Sequence, residues 1–292
     1  MRILFIADIM GKPGRWALSQ LLRPIKVKHQ IDFVVANVEN AAGGYGLTKP
    51  ISQKIMSYGV DVQTSGNHIW DRNEIFPFLD FAANRVIRPA NCPSGSPGYG
   101  SYLHSLADGR KVGVINAEGR VFGRNIDCPF RTIDGELRMM KDSTKIIVVD
   151  FHAETTSEKG AMAHYVDGRV SLLVGTHTHI QTADEHIMPN GTAFITDAGM
   201  TGPHSGVIGM NADGVLGRFL TALPHRFTVS SDDVKIQGVI AEVDDETGKA
   251  ISIERLSLDF DGRVPEGYEI VRDDENEDED ADEEEDTDGS DT

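Results

Sequence analysis

The sequence predicts an α/β fold in which two sheets pack face to face with helices outside. In the first half of the chain, short apolar runs rich in β-branched residues alternate with segments of helical periodicity. In the second half, strand-like runs predominate and are joined by turn signals. No interdomain linker interrupts these elements. We therefore predict one domain over residues 1–270 and a disordered acidic tail over residues 271–292.

The first half predicts three strand–helix pairs. Thr48 suits the N-cap of the second helix, and Pro50 suits its first turn. The strands are almost continuously apolar, as in a parallel or mixed sheet that helices cover. The expected strands are 2–7, 31–38 and 60–65, and the expected helices are 15–25, 48–59 and 73–83.

The second half predicts buried strands together with hairpins. Apolar strands are expected at 145–154 and 169–179, with a helix at 157–166 between them. Hairpin turns are expected at 107–110, at Asn190–Gly191 and at 244–248, where turn-forming residues separate two strand patterns.

Charge is distributed unevenly along the 292 residues. Residues 273–292 hold 14 of the 46 acidic residues and no basic ones, which leaves a net charge of −4 on the rest of the chain. A like-charged segment of this kind cannot bury a core, and so we expect a solvated tail. The weakly acidic remainder argues against nonspecific binding to duplex nucleic acid, which needs clustered lysines and arginines.

Composition argues against two further classes of protein, membrane-spanning proteins and disulfide- or zinc-stabilised ones. No apolar run approaches about 18 residues, which argues against a membrane span. The two cysteines, Cys92 and Cys128, lack CxxC spacing and indicate neither a disulfide framework nor a zinc ribbon. Such cysteine usage fits a cytoplasmic protein.

Polar residues follow the predicted buried strands at the point where each strand ends. In an open α/β sheet, ligands bind beyond the carboxyl ends of the strands, and parallel strands bring those ends to one edge. We therefore expect these side chains to converge on one crevice. They are Asp8, Glu39, Asn40, Asn67, His68, His152, His177 and His179.

Each of these residues has a simpler explanation when taken alone. Asp8 could cap a helix, Asn67 could form a turn, and a lone His152 at a strand end is more often structural than a ligand. The simpler explanations weaken when the residues are considered together, because five strand ends carry metal-ligand types and the strand starts carry no comparable cluster.

The residue types indicate a pair of metal ions. Carboxylate, amide oxygen and imidazole together suit iron, manganese or zinc better than calcium. Without His68, the converging residues are seven candidate ligands, which are too many for one ion and enough for two. Two ions would need a bridging carboxylate such as Glu39 or Asp8. His177 and His179 lie at positions i and i+2, where an extended strand would direct both side chains to the same cluster.

These motifs resemble the metallophosphoesterase (calcineurin-like) superfamily. Asp8, Glu39, "GNH" at 66–68, His152 and "GTHTH" at 175–179 match its pattern in order, with one inserted Thr in the last motif. Met10 stands where the superfamily usually has a histidine, and Glu39 where it usually has a bridging Asp. Both departures, together with "NVENAAGGYG", "GNHIWD", "RPANCP" and "DAGMTGP", are similar to the bacterial YmdB-type phosphodiesterases over residues 1 to about 260.

The resemblance implies a four-layer α/β/β/α sandwich and a di-metal hydrolase, often with iron or manganese. It implies a small phosphodiester or nucleotide substrate such as a 2′,3′-cyclic nucleotide, and a homo-oligomer. By motif match, Asp8, Glu39, Asn40 and His179 would hold one ion, and Glu39, Asn67, His152 and His177 the other. Asn40 would replace the histidine lost at Met10, and His68 would be the proton donor.

Two other functions stay open from the sequence. The same metal pair could serve a phosphomonoesterase, which turnover of monoester and diester substrates would distinguish. Alternatively, the chain could be a regulatory or RNA-associated binding protein with a vestigial metal site. The complete ligand set argues against a vestigial site.

Overall fold

The computed structural model describes residues 1–268, so the predicted acidic tail and the domain boundary at residue 270 lie outside the described residues. The strands are β1 (Arg2–Ile6), β2 (Asp8–Ile9), β3 (Phe33–Asn37), β4 (Val62–Thr64), β5 (Ser101–Ser105), β6 (Lys111–Glu118), β7 (Ile146–His152), β8 (Leu172–Thr176), β9 (His186–Ile187), β10 (Ala193–Ile195), β11 (Met200–Pro203), β12 (Val234–Val243) and β13 (Ala250–Phe260). The helices are α1 (Gly11–His29), α2 (Lys49–Ser57), α3 (Phe76–Leu79), α4 (Pro129–Met140), α5 (Thr156–Val166) and α6 (Ala212–Thr221).

The strands form two mixed sheets. The first sheet has seven strands in the order β2-β11-β12-β1-β3-β4, with β13 paired to β12. The second has six strands in the order β5-β6-β7-β8-β10-β9. Strands β1, β3 and β4 are mutually parallel, as are β6, β7, β8 and β10.

Three hydrophobic cores separate four layers, as the sequence predicts. Leu4 packs with Leu18 of α1 on the outer face of the first sheet. The adjacent residue, Phe5, faces the opposite way and packs with Val148 of the second sheet because successive side chains on a strand alternate between faces. The outer face of the second sheet packs against α4 and α5 in a third core. The α/β/β/α sandwich is therefore confirmed.

Most locally encoded elements lie where the sequence predicts them. The Thr48 side chain accepts a hydrogen bond from the Ile51 N–H, at 3.4 Å, as the N-cap of α2. Antiparallel pairing of β5 with β6, of β9 with β10 and of β12 with β13 confirms the three hairpins. Helix α4 was not predicted, although Pro129 at its start and apolar residues at helical spacing were available as signals.

The helix predicted at 73–83 is wrong. The segment contains two 3₁₀ turns, at Asn73–Ile75 and Ala82–Asn84, on either side of the one-turn α3. Pro77 explains the interruption, because proline has no amide hydrogen and its ring clashes with the carbonyl one turn earlier.

Within residues 1–268, no helix combines the length and apolar character that crossing a bilayer would require.

Candidate metal centre and active site

The carboxyl ends of strands from both sheets meet at one edge of the sandwich. Loops after the first sheet's strands carry Glu39, Asn40 and Asn67, and β2 carries Asp8. Strand β7 of the second sheet ends at His152, and the loop after β8 carries His177 and His179. The structure thus brings together side chains spread over about 170 residues of sequence.

Two groups of possible ligand atoms share Glu39. One contains Glu39, His152 and His177, and the other contains Asp8, Glu39 and His179. Within each group, one nitrogen or oxygen atom from each residue lies within 4.8 Å of the others. A carboxylate common to both groups is what a pair of neighbouring cations requires.

The first group is centred on His152 Nε2. This atom lies 3.1 Å from Glu39 Oε1 and 3.0 Å from Asn67 Oδ1. It also lies 3.0 Å from His177 Nδ1. Two lone-pair nitrogens and two oxygens facing one another at this spacing are the donor set of a borderline divalent ion.

The second group is fully buried and contains unsatisfied oxygens. Asp8 Oδ2 lies 3.5 Å from His179 Nε2 and accepts a hydrogen bond from the His177 N–H at 3.1 Å. Asp8 Oδ1 and Asn40 Oδ1 are buried and have no hydrogen-bond partner among the described residues. Buried oxygens without a partner are costly, and a cation would satisfy both. The residues present therefore fit a metal pair.

Hydrogen bonds to the remote nitrogens fix which ring nitrogen of two histidines is available. His179 Nδ1 lies 2.9 Å from the Ile208 carbonyl oxygen, which can only accept, so this nitrogen carries the hydrogen. His177 Nε2 lies 3.0 Å from a carboxylate oxygen of Glu154 and donates to it. The lone pairs of His179 Nε2 and His177 Nδ1 are consequently left for the two ligand groups.

A relay of hydrogen bonds orients His152. The Thr176 hydroxyl donates to Asp150 Oδ1 at 2.7 Å and accepts from His152 Nδ1 at 2.9 Å. Thr64 and Asn37 donate to the other oxygen of Asp150. Burial raises the pKa of Asp150 to about 6, although His152 and the hydrogen bonds oppose this change. Through the Thr176 hydroxyl, Asp150 keeps the Nδ1 hydrogen of His152 in place.

The electrostatics of the centre favour added positive charge. Burial raises the pKa of Asp8 well above its ordinary value, and nearby carboxylates raise it further. Burial would also raise the pKa of Glu39, but His152 opposes it and lowers that pKa to about 2. Burial lowers the pKa of His152, yet Glu39 and Asp8 outweigh burial and raise it to about 9. Bound cations would take the place of the His152 proton and balance the negative charge of Asp8 and Glu39.

Close packing at Gly66 holds the centre together. A Cβ atom at this position would lie 2.3 Å from both Glu39 Oε2 and His152 Cδ2. Only glycine therefore allows the "GNH" segment to approach the shared carboxylate. The His68 N–H uses this approach to donate to Glu39 Oε2 at 3.1 Å.

The extended geometry predicted for His177 and His179 is wrong. Strand β8 ends at Thr176, and the two histidines have positive φ angles of 98° and 63°. Such angles are uncommon for residues with side chains. The two imidazoles reach separate ligand groups because the chain turns at this point, not because a strand continues.

Sequence comparison assigns the chain to a family. Residues 4–256 match a family model described as YmdB-like protein. The chain belongs to the YmdB-like family. A Bacillus subtilis (strain 168) relative named 2′,3′-cyclic-nucleotide 2′-phosphodiesterase is 47% identical over 261 residues, which cover 89% of this chain and 98% of the relative.

Solved structures of similar proteins share the fold. A hypothetical protein from Thermus thermophilus has a TM-score of 0.81 and 36% identity, covering 89% of this YmdB-like chain and 99% of that one. A crystal structure described as a novel phosphatase from Mycoplasma pneumoniae has a TM-score of 0.82 and 32% identity, covering 89% and 93%. Both matches extend over nearly the whole of the compared chains.

Met10 of this YmdB-like chain belongs to a hydrophobic core. Its side chain is 2% exposed and packs with Met200, Met210 and Val215. It therefore lies among apolar side chains rather than with the polar groups of the centre. The nearby Asn40 donates from its amide nitrogen to the Gly44 carbonyl at 3.0 Å, and its oxygen is the unpaired atom described above.

His68 stands at the open side of the centre. Its Nδ1 lies 2.7 Å from Asp71 Oδ2, and its ring packs at 5.1 Å against Tyr45. The side chain lines a cavity of about 430 Å³ together with Asn67, His152 and His177. The Asp71 contact engages Nδ1 and leaves Nε2 for a substrate.

Several supporting residues could not be recognised from the sequence. Asp150 and Thr176 resemble ordinary strand residues, and Lys159 an ordinary helix residue. Asp197 accepts a hydrogen bond from Lys159 Nζ at 2.7 Å, and its same oxygen accepts from the Thr178 N–H and hydroxyl. The "DAGMTGP" phrase contains Asp197, but only the folded chain shows that it supports the loop carrying the two histidines.

Proposed function

We propose that this YmdB-like protein is a di-metal phosphodiesterase that opens 2′,3′-cyclic nucleotides. The observation that carries the proposal is the sharing of Glu39 by two ligand groups, one of which lines, through His152 and His177, a cavity that His68 also lines. The name of the Bacillus subtilis relative supports the choice of substrate. We also propose that the family belongs to the wider calcineurin-like superfamily, whose motif order the chain follows.

Seven side chains would hold the ions. We assign Asp8, Glu39, Asn40 and His179 to one ion, and Glu39, Asn67, His152 and His177 to the other. The donor types favour iron or manganese. When bound, such a pair supplies Lewis acidity, which lowers the pKa of coordinated water and neutralises charge on a phosphoryl group.

The chain's own residues would orient the ester and handle the leaving group. The cavity beside the ligand groups is large enough for a mononucleotide, and His68 lies in its wall. We assign His68 as the general acid that donates a proton from Nε2 to the departing ribose oxygen. Asp71 would position the ring through Nδ1.

A substrate panel tests the proposal. Purified protein loaded with Mn²⁺ or Fe²⁺ should hydrolyse 2′,3′-cyclic AMP with a kcat/KM well above that for p-nitrophenyl phosphate, a monoester. Elemental analysis of the same sample should find two ions per chain. Turnover of the monoester alone would overturn the proposal in favour of a phosphomonoesterase.

Removal of residues 273–292 tests the binding-protein alternative. The proposed ligands all lie between residues 8 and 179, and so the truncated chain should keep its kcat/KM. If hydrolysis is absent from both chains and the tail alone is needed for a cellular role, the enzyme proposal fails.

Two further proposals concern context. We propose a cytoplasmic location, which the cysteine usage supports.

We also propose a homo-oligomer, because one face of α6 exposes large apolar side chains. The α6 residues Leu216, Phe219 and Leu220 are 51%, 82% and 83% exposed. Light scattering of the wild type and of Phe219→Lys would test this, since the charge should reduce the molecular mass of the assembly.

A further inference from the structure

The cavity beside the ligand groups has a second wall that the proposed chemistry does not use. Besides His68 and the proposed ligands Asn67, His152 and His177, the cavity is lined by Gly119, Val121, Phe122, Gly123 and Arg124. The segment Gly119–Arg124 is here termed the rim loop. Because the rim loop lines the same cavity as three proposed ligands, a molecule whose phosphate is held by those ligands can extend to this loop.

Phe122 is the most exposed large apolar side chain of the described residues, at 90%. Its φ angle is +60°, a left-handed conformation that is unfavourable for a bulky residue. The Gly123 N–H donates to the Arg120 carbonyl at 3.1 Å and closes the turn. Glycine would fit position 122 better, and so neither packing nor local conformation explains a phenylalanine there.

The rim loop is held firmly at its base. The Glu158 carboxylate accepts hydrogen bonds from the Arg120 N–H at 3.0 and 3.1 Å and from the Val121 N–H at 3.2 Å. Arg124 donates from Nε to Glu118 Oε1 at 3.0 Å and also makes a second hydrogen bond to Glu118. The exposed ring is therefore presented from a fixed support.

Asn91 completes this support. Its side-chain nitrogen donates to the carbonyls of Glu118 at 2.7 Å and Asp127 at 3.0 Å, and its oxygen accepts from the Glu118 N–H at 2.9 Å. The backbone on both sides of the rim loop is thus joined by one buried amide. Phe122 keeps its place at the cavity mouth because both ends of the loop are fixed.

We propose that Phe122 is a stacking platform for the nucleobase of the substrate. The inference rests on the proposed function, which places the phosphate of a cyclic nucleotide at the ligand groups and its ribose oxygen at His68. The base then extends towards the open side, where the ring of Phe122 offers a flat apolar surface. Stacking on an aromatic ring suits every base, because each has a π-face. The platform therefore recognises a nucleoside rather than a particular base.

Kinetics with and without a base test the platform. Phe122→Ala should raise KM for 2′,3′-cyclic AMP about tenfold, a typical loss for one stacked base, while kcat stays within about twofold. The same variant should leave KM unchanged for methyl riboside 2′,3′-cyclic phosphate, which has no base. Phe122→Trp should keep the wild-type KM. Phe81→Ala removes an exposed phenylalanine outside the cavity lining and is the matched control.

Binding measurements test the platform independently of turnover. Adenosine 3′-monophosphate should bind the Mn²⁺-loaded His68→Ala variant about tenfold more tightly than the His68→Ala/Phe122→Ala variant. Phe122→Gly should weaken binding equally while its Tm stays the same or rises, because glycine adopts the left-handed conformation without strain. If the weaker binding came from a general loss of structure, Tm would fall in both Phe122→Gly and the His68→Ala/Phe122→Ala variant.

The outcomes separate the two proposals. An unchanged KM and Kd in Phe122→Ala, or equal losses for the base-free probe, would overturn the platform even if cyclic nucleotides are hydrolysed. Absence of cyclic nucleotide hydrolysis in the wild type would overturn the proposed function, while the nucleotide titration would still decide whether Phe122 contacts the base.

Discussion

Lys159 Nζ and Asp197 Oδ2 lie 2.7 Å apart, and both side chains are only 1% exposed. The same carboxylate accepts the N–H and hydroxyl of Thr178, which separates His177 from His179. The second oxygen of Asp197 accepts the Gly199 N–H at 2.9 Å. The buried ion pair thus holds the backbone at Thr178, between the proposed ligands His177 and His179.

Lys159→Met should destabilise the protein and disturb the metal centre. The substitution leaves the Asp197 charge buried without its partner, which typically costs about 3–5 kcal/mol in the free energy of unfolding. Urea unfolding and metal analysis would measure both effects. Lys141→Met, on the protein surface, is the control and should change neither. Full stability and two ions in Lys159→Met would show that the pair does not support the loop.

His68→Ala should separate catalysis from metal binding. The side chain lies outside both ligand groups, and so the metal content should stay at the wild-type level. Loss of a general acid should lower kcat by about 10²–10⁴-fold. Asp71→Asn, which only weakens the positioning of the ring, should cause a smaller loss. Full activity of His68→Ala would show that another group protonates the leaving oxygen.

Glu39→Gln and His177→Ala should differ in the number of ions that they retain. Glu39 belongs to both ligand groups, whereas His177 belongs to one. We therefore expect Glu39→Gln to bind neither ion firmly and His177→Ala to keep at most one, as measured by elemental mass spectrometry. His164→Ala, exposed on α5, should keep two. Equal metal content in all three variants would refute the shared arrangement.

Gly66→Ala should impair metal binding through a steric effect alone. The added Cβ would lie 2.3 Å from Glu39 Oε2, and so the "GNH" segment must move away from the centre. The matched control is Gly160→Ala in the middle of α5, where no atom lies within 4 Å of the added carbon. That control should raise the free energy of unfolding by about 0.5–1 kcal/mol. Metal titrations would measure the metal affinity of both variants, and urea unfolding would measure their stability. Wild-type metal affinity in Gly66→Ala would show that close packing at this position is not needed for metal binding.

The sequence predicts those features that short segments encode. Apolar runs such as 2–7 become strands, and turn signals such as Asn190–Gly191 become hairpins, because neighbouring residues determine both. The helix predicted at 73–83 fails for a local reason as well, since Pro77 interrupts it. Helix α6 was not predicted either, because Gly214 and Gly217 lie inside it and glycine disfavours a helix interior.

The site is partly predictable for a different reason. Polar residues after strands converge because parallel strands end at one edge, and so the residues of both ligand groups could be chosen from the sequence alone. The contacts of Lys159 with Asp197 and of Thr176 with Asp150 could not be foreseen. They join distant segments, and nothing in the local sequence distinguishes these residues from ordinary helix and strand positions.

The seam between the two sheets runs through the proposed ligands. One sheet provides Asp8, Glu39, Asn40 and Asn67, and the other provides the three histidines. Cations bound there would clamp the halves of the sandwich, because ions that bind only the native state stabilise it. Chelation would then expose the chain to proteases as well as stop turnover, and metal supply in the cell would govern how much of the protein survives.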